Sequence, residues 1–187
     1  VASAQSDTAV IDSGPKPWFE RSLVGLEVGP TGSQFGGSPD DVGFAEQFNS
    51  RKIVEVSKNC GSEYLVIWAR EGDWAFYDLK LTPKPPGLGD RDVLREAVEA
   101  GQQAGLPIIA YCQVQYPGHT LRQYPQWRMV AADGQPIDGR VCYRSGYLDY
   151  MKQMVEEQLS YGIAGFHLDM VDQGFGPPHG CWCETCK

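Results

Sequence analysis

Four stretches of the chain are almost continuously apolar, and helical patterns separate them. The apolar stretches are residues 21–29, 63–69, 106–115 and 163–170, each the length of a buried strand. Residues 49–61, 90–105 and 144–162 instead place apolar side chains three or four positions apart, which predicts amphipathic helices. Continuously apolar strands that alternate with helices predict parallel βα units.

Polar residues at the helix ends support these boundaries. Asn49 and Asp90 are predicted N-caps, and Gly105 stands where a helix ends in a left-handed residue. The predicted buried sides of two helices are Ile53, Val56 and Cys60 in the first, and Tyr147, Tyr150, Met151, Met154, Val155 and Leu159 in the last.

The loops favour a barrel over an open sheet. An open doubly wound sheet is the alternative, but no glycine-rich phosphate loop follows any strand. The loops after the strands are long and rich in Trp, Tyr, Gln and Asp, as in a (β/α)₈ TIM barrel. Such a barrel takes about 250 residues, so residues 18–187 predict its N-terminal half, four βα units. We expect the open sheet edges to pair with the missing half or with a second copy.

Composition and net charge limit the classes of molecule that the protein is expected to bind. The 187 residues are 42% hydrophobic and 21% charged, as in a globular protein, and no apolar run approaches the roughly 20 residues that span a bilayer. A net charge of −8 argues against nucleic acid or an anionic membrane as partner. The aromatic fraction of 11% suits stacking against sugar rings.

Residues 1–17 are polar and punctuated by Pro and Gly, which predicts a tail. Within them, Ala2-Ser3-Ala4 has the small-x-small pattern of a signal-peptidase site, which predicts a secreted or periplasmic protein. An ordinary flexible N-terminus is the alternative.

Three cysteines crowd the last residues: Cys181, Cys183 and Cys186. Their spacing lets three thiolates reach one ion, and zinc needs a fourth ligand. Cys142, just before the last helix, is the first candidate and His179 the second. A disulfide pair or unconnected thiols are the alternatives. Cys60 and Cys112 are predicted to be buried in the core, away from this cluster.

Acidic and aromatic residues gather where the strands end. Asp169 ends the fourth strand, and a carboxylate there points into the mouth of a barrel. The predicted substrate-binding rim consists of Glu27, Trp68, Glu71, Trp74, Tyr111, Gln113, Gln115, His167 and Asp172. Such a rim can hydrogen-bond hydroxyl groups and stack on a sugar.

Residues 141–186, "VCYRSGYLDYMKQMVEEQLSYGIAGFHLDMVDQGFGPPHGCWCETC", resemble the zinc-bearing segment of the family 42 glycoside hydrolases, the β-galactosidases. The resemblance implies that Cys142, Cys181, Cys183 and Cys186 bind one zinc, which would be structural because no position stays open. That family has Asn-Glu where this chain has Leu168-Asp169, so its acid/base residue does not carry over.

The segments "EYLVIWAREGDWAFYDLKLT" and "DVLREAVEAGQQAGLPIIAYCQV" resemble the family 29 α-L-fucosidases. They are more similar still to glycosyl-hydrolase-like proteins whose barrel precedes a β-galactosidase-type trimerisation domain. The fucosidase likeness implies that Asp169 is a nucleophile, although residues 70–73, Arg-Glu-Gly-Asp, replace the fucosidase His-His-Asp-Gly.

The predicted function is retaining hydrolysis of a glycosidic bond. Its second carboxylate would come from a later strand, or from Asp172, Glu71 or Asp73. A non-catalytic carbohydrate-binding barrel with a structural zinc and a non-glycosidic barrel hydrolase are the alternatives.

Overall fold

The computed structural model describes residues 16–29, 48–72, 74–78, 80–171 and 180–187. Its strands are β1 (Gly25–Val28), β2 (Tyr64–Glu71), β3 (Trp74–Ala75), β4 (Ile108–Gln113), β5 (Arg128–Val130), β6 (Pro136–Val141) and β7 (Gly165–Asp169). Its α-helices are α1 (Trp18–Arg21), α2 (Ser50–Asn59), α3 (Val93–Ala104), α4 (Gly118–Gln123) and α5 (Tyr147–Leu159). Short 3₁₀ turns span Pro86–Leu88 and Pro125–Trp127.

The main sheet is parallel and alternates with helices, as the apolar pattern predicts. Its order is β1-β2-β4-β7, with β3 folded back antiparallel against the end of β2. One face of the sheet packs against helices, and there Leu65, Ile67, Ile108 and Ala110 join apolar residues of α2 and α3 in the core. The α/β class is therefore confirmed.

The sheet is strongly curved. Glu27 on β1 and His167 on β7 are separated by two strands, yet Glu27 Oε2 lies 3.0 Å from His167 Nδ1. Neighbouring strands stand about 4.8 Å apart, so a flat sheet would hold β1 and β7 roughly 14 Å apart. The face opposite α2 and α3 is concave, which is the curvature that a barrel requires. Completion of the barrel by further units stays a prediction.

The predicted helix caps hold in two of three cases. Asn49 Oδ1 accepts the Lys52 N–H at 2.9 Å, and Gly105 is left-handed with φ 62°. The prediction for Asp90 is wrong, because Asp92 caps α3 by accepting the Arg95 N–H at 2.9 Å. Asp90 instead lies in the turn after the 3₁₀ helix, two residues too early to reach that amide.

The buried side of α2 differs from the predicted one. Val56 is 45% exposed and Cys60 is exposed, whereas Val54 and two serines are buried. Ser50 Oγ donates a hydrogen bond to Glu96 Oε2 on α3 at 3.1 Å. This bond turns the side of α2 that carries the serines toward the neighbouring helix. Cys112, by contrast, is fully buried as predicted.

The buried side of α5 is largely as predicted. Tyr147, Tyr150, Met151 and Met154 are buried, Val155 is half-buried and Leu159 is 52% exposed. The inward position of the last turn belongs to Gln158, whose Nε2 donates to Tyr77 Oη at 2.7 Å. A buried hydrogen bond therefore takes the place predicted for a leucine.

An antiparallel hairpin of β5 and β6 lies between β4 and α5 in the chain. The apolar pattern missed it because its strands are short and largely polar, although Asp133-Gly134 marks a turn. No helix among the described residues is long and apolar enough to cross a membrane.

Candidate active site and metal centre

The carboxylate of Asp169 is held by two hydrogen bonds at the carboxyl end of β7. Tyr111 Oη donates to Oδ2 at 2.6 Å, and the backbone N–H of Met170 donates to Oδ1 at 2.8 Å. Met170 is left-handed with φ 53°, a costly conformation for a residue other than glycine. The carboxylate therefore has a fixed orientation at the strand end.

Tyr111 lies at the centre of the concave face. Its ring stacks on Trp68, with centroids 4.5 Å apart, and meets the His167 ring edge-on at 5.5 Å. The pKa of Tyr111 lies well above its ordinary value because the group is buried, because it hydrogen-bonds Asp169, and because Glu27 and Glu71 are negative nearby. Its hydroxyl, predicted to meet substrate, here orients Asp169.

Glu27 joins the first, second and last strands of the main sheet. Oε1 accepts the Trp68 indole N–H at 3.0 Å, and Oε2 lies 3.0 Å from His167 Nδ1. Glu27, Trp68, Tyr111, His167 and Asp169 thus form one linked group, which we call the concave-face network.

Two further rim residues adjoin this network. The pKa of Glu71 is raised because its carboxyl is half-buried, and its charge acts on Tyr111. Gln113 joins two strand ends: Oε1 accepts the Gly72 N–H at 2.6 Å, and Nε2 contacts Met170 Sδ at 3.3 Å.

Other predicted rim residues lie elsewhere. Trp74 packs with Phe76, Leu88 and Val93, in a cluster that Trp68 of the network also contacts. Gln115 is fully buried and accepts the Val141 N–H at 3.0 Å, so it fastens β6 to the end of β4. Asp73, Asp172 and His179 lie outside the described residues.

The four cysteines Cys142, Cys181, Cys183 and Cys186 meet in one cluster. Their Sγ atoms all lie within 4.8 Å of one another, and all four are free thiols. Cys142 follows β6, and Trp182 N–H donates to Val130 O at 2.7 Å, which brings the terminal loop to β5. The hairpin that the sequence pattern missed is therefore what builds this cluster.

The cluster stabilises thiolate at one position. Burial acts to raise the pKa of Cys183, but hydrogen bonds from Cys181 and from the Thr185 backbone N–H lower it to about 7. The Arg144 backbone N–H likewise reaches the sulfur of Cys142, whose pKa is raised overall by burial and by its neighbouring thiols. Amide donors aimed at sulfur favour the anionic form that binds metals.

The donor set fits a four-coordinate metal ion. Cys142 Sγ lies 3.7 Å from Cys183 Sγ and 3.4 Å from Cys186 Sγ. Four sulfurs at the roughly 2.3 Å bond length of tetrahedral zinc lie about 3.8 Å apart. The cluster can therefore hold a metal ion with little rearrangement.

A family of glycosyl-hydrolase-like proteins matches the part of the chain that carries most of the main sheet. The model of the family described as hypothetical glycosyl hydrolase 6 matches residues 49–170, which include β2, β4, α5 and β7. The chain belongs to this family. The matched region contains Asp169 and Cys142, whereas the other three cysteines lie beyond it. No protein of curated function matches the chain by sequence.

Solved structures share the fold. α-L-Fucosidase isoenzyme 2 from Paenibacillus thiaminolyticus matches at 22% identity and a TM-score of 0.68, over 86% of this chain and 25% of that one. An α-L-fucosidase from Lactobacillus casei matches at 20% identity and 0.55, over 83% and 61%. A hypothetical protein from Ruminiclostridium thermocellum matches at 11% and 0.58, over 81% and 78%. The chain spans between a quarter and about three fifths of these two fucosidases.

Removing the charge of Asp169 should lower the pKa of Tyr111, because that carboxylate favours the neutral phenol. In Asp169→Asn, the Tyr111 signal in a carbon-13 tyrosine NMR titration should move at a lower pH than in the wild type. Tyr147, whose pKa of about 12 arises from burial, is the control and should not change. An unchanged Tyr111 titration would contradict the hydrogen bond.

Proposed function

We propose that the protein is a retaining glycoside hydrolase with Asp169 as nucleophile. Family membership supports a glycosyl hydrolase, and with it a carbohydrate substrate. The observation that carries the finer proposal is the Asp169 carboxylate, oriented by Tyr111 and Met170 at the carboxyl end of a strand. Active sites of barrel enzymes lie at that end.

The chemistry follows from the concave-face network. The Asp169 carboxylate attacks the anomeric carbon and forms a glycosyl-enzyme, which water then hydrolyses. The Tyr111 hydroxyl, 2.6 Å from Oδ2, keeps the carboxylate from rotating and stabilises it again when it leaves in the second step. Trp68 stacks on the Tyr111 ring on the same face and so helps to hold that hydroxyl at the carboxylate.

The proposal names a glycosidic bond and no particular sugar. In the segment that replaces the fucosidase histidines, Arg70 is fully buried and donates to Gln113 O at 2.6 Å. It also contacts Tyr147 on α5, so it faces the helices and not the concave face. Among the described residues of that segment, only Glu71 acts on the concave-face network: its negative charge raises the pKa of Tyr111.

We also propose that the four-cysteine cluster binds a structural zinc ion. Four thiol donors at near-tetrahedral spacing suit zinc and leave no position for substrate. The ion would fasten the terminal loop to the end of β6, next to the chain that follows Asp169. It would take no part in bond cleavage.

Asp169→Asn should lower kcat on aryl glycosides by at least about 10³-fold, because the amide cannot act as nucleophile. Binding of the sugar, measured by calorimetry on the protein purified at its full natural length, should remain. Asp149→Asn, which changes an exposed aspartate on α5, is the matched control. Sugar binding without turnover in the wild type would instead favour a non-catalytic carbohydrate-binding barrel.

The purified protein should contain one zinc ion per chain, released together with four titratable thiols by a chelator. Cys142→Ser should lose the metal, whereas Cys60→Ser, at an exposed cysteine outside the cluster, should keep it. With free zinc at 1,000 times Kd, chelation should lower the free energy of unfolding by about 4 kcal/mol. Full metal content in Cys142→Ser, by elemental analysis, would contradict the site.

A further inference from the structure

His167 is held as one half of a carboxylate–histidine pair. Its Nδ1 lies 3.0 Å from Glu27 Oε2, within reach of a hydrogen bond from a hydrogen on Nδ1. The other oxygen of Glu27 accepts from Trp68 at 3.0 Å, which prevents the carboxylate from turning away. The Tyr111 ring also meets the imidazole edge-on, with ring centroids 5.5 Å apart, and restricts its orientation.

The second nitrogen of His167 is available. Among the described residues, Nε2 has no hydrogen-bond partner, and the side chain is 47% exposed on the concave face. Glu27 lies on the opposite side of the ring, so Nε2 points away from it. An oriented imidazole with one nitrogen paired to carboxylate and the other free is the arrangement of a proton-transfer group.

His167 also has the right relation to Asp169. The two residues are two positions apart on β7, so their side chains share a face. Residues so spaced on a strand are about 6.6 Å apart at Cα. Retaining glycosidases hold their two catalytic carboxyl groups about 5–5.5 Å apart, a separation of the same order as this Cα spacing. Tyr111 touches both, through its hydroxyl to Asp169 and its ring to His167.

We propose that His167 is the proton donor of the reaction, an inference that rests on the proposed glycosidase function. Asp169 forms a bond to the anomeric carbon while the bond to the leaving oxygen breaks. That oxygen keeps the electron pair and takes the proton from Nε2 of the imidazolium. In the second step, water attacks the anomeric carbon, gives its proton to Nε2 and releases the Asp169 carboxylate.

Glu27 is then a positioning residue. Its Oε2 lies against Nδ1 and keeps the ring in one orientation throughout both steps. The titratable groups of the network beside His167 are Glu27 of β1, Tyr111 of β4 and Asp169 of β7, and the charge of Glu71 of β2 acts on Tyr111. Glu71 is the rival proton donor, because it is half-buried and belongs to the same face.

The test is dependence on the leaving group. A dinitrophenyl leaving group departs without a proton, whereas a methyl glycoside requires one. His167→Ala should lower kcat/KM by about 10²–10⁴-fold on the methyl glycoside and by less than about tenfold on the dinitrophenyl glycoside. His167→Gln, which keeps a polar side chain, should show the same difference between the two substrates as His167→Ala. Glu27→Gln should show a smaller difference of the same sign. Thermal unfolding verifies that each variant is folded.

Azide provides a second measurement. It needs no general base, so in His167→Ala it should restore turnover of the dinitrophenyl substrate and give a glycosyl azide of retained configuration. Equal losses on both substrates, or the leaving-group dependence in Glu71→Gln instead, would overturn the assignment of His167. The proposed function would survive that result as long as Asp169→Asn remains inactive. A wild type that hydrolyses no glycoside would overturn both proposals.

Discussion

Two polar contacts of the Glu27 carboxylate connect opposite edges of the four parallel strands of the main sheet. One reaches Trp68 on the adjacent strand, and the other reaches His167 on the strand at the far edge. Glu27 is an exposed residue, so these contacts act chiefly by orienting its two partners, one at each oxygen. These contacts exist only because the sheet curves, so the polar network depends on the curvature. The arrangement of side chains on the concave face depends on this constraint.

The chain around Asp169 is anchored on two sides. Tyr111 and Met170 hold the carboxylate, and Gln113 contacts the side chain of Met170. On the other side, Tyr143 follows Cys142 directly, and its hydroxyl lies 3.3 Å from Met170 O. The cysteine cluster therefore sits within one residue of a contact to the strand end that carries the proposed nucleophile. A structural metal there would stabilise the loop next to the active site.

Much of this architecture could be predicted from the sequence because it depends on local patterns. The four apolar strands and the three long helices are encoded in hydrophobic periodicity, and the crowding of Cys181, Cys183 and Cys186 is visible at once. The β5–β6 hairpin was missed because its residues alternate weakly, and Asp92 rather than Asp90 caps α3 because the preceding turn is longer than expected.

The pairing of Glu27 with His167 could not be predicted, because the two residues are far apart in sequence and meet only through sheet curvature. The same holds for Tyr111, whose chemistry as a sugar contact or as a hydrogen-bond donor depends on where Asp169 lies. The sequence indicated which residues end the strands. Only the folded chain shows which of them bond to one another.

The most direct test of the account is covalent trapping. A fluorinated glycoside with a good leaving group slows the second step, so the sugar should remain attached to the enzyme. Mass spectrometry of the digested protein should then find the sugar on the peptide that contains Asp169. A label on another carboxylate, or a fluorosugar released with inverted configuration and no covalent adduct, would contradict Asp169 as the nucleophile of a retaining glycosidase.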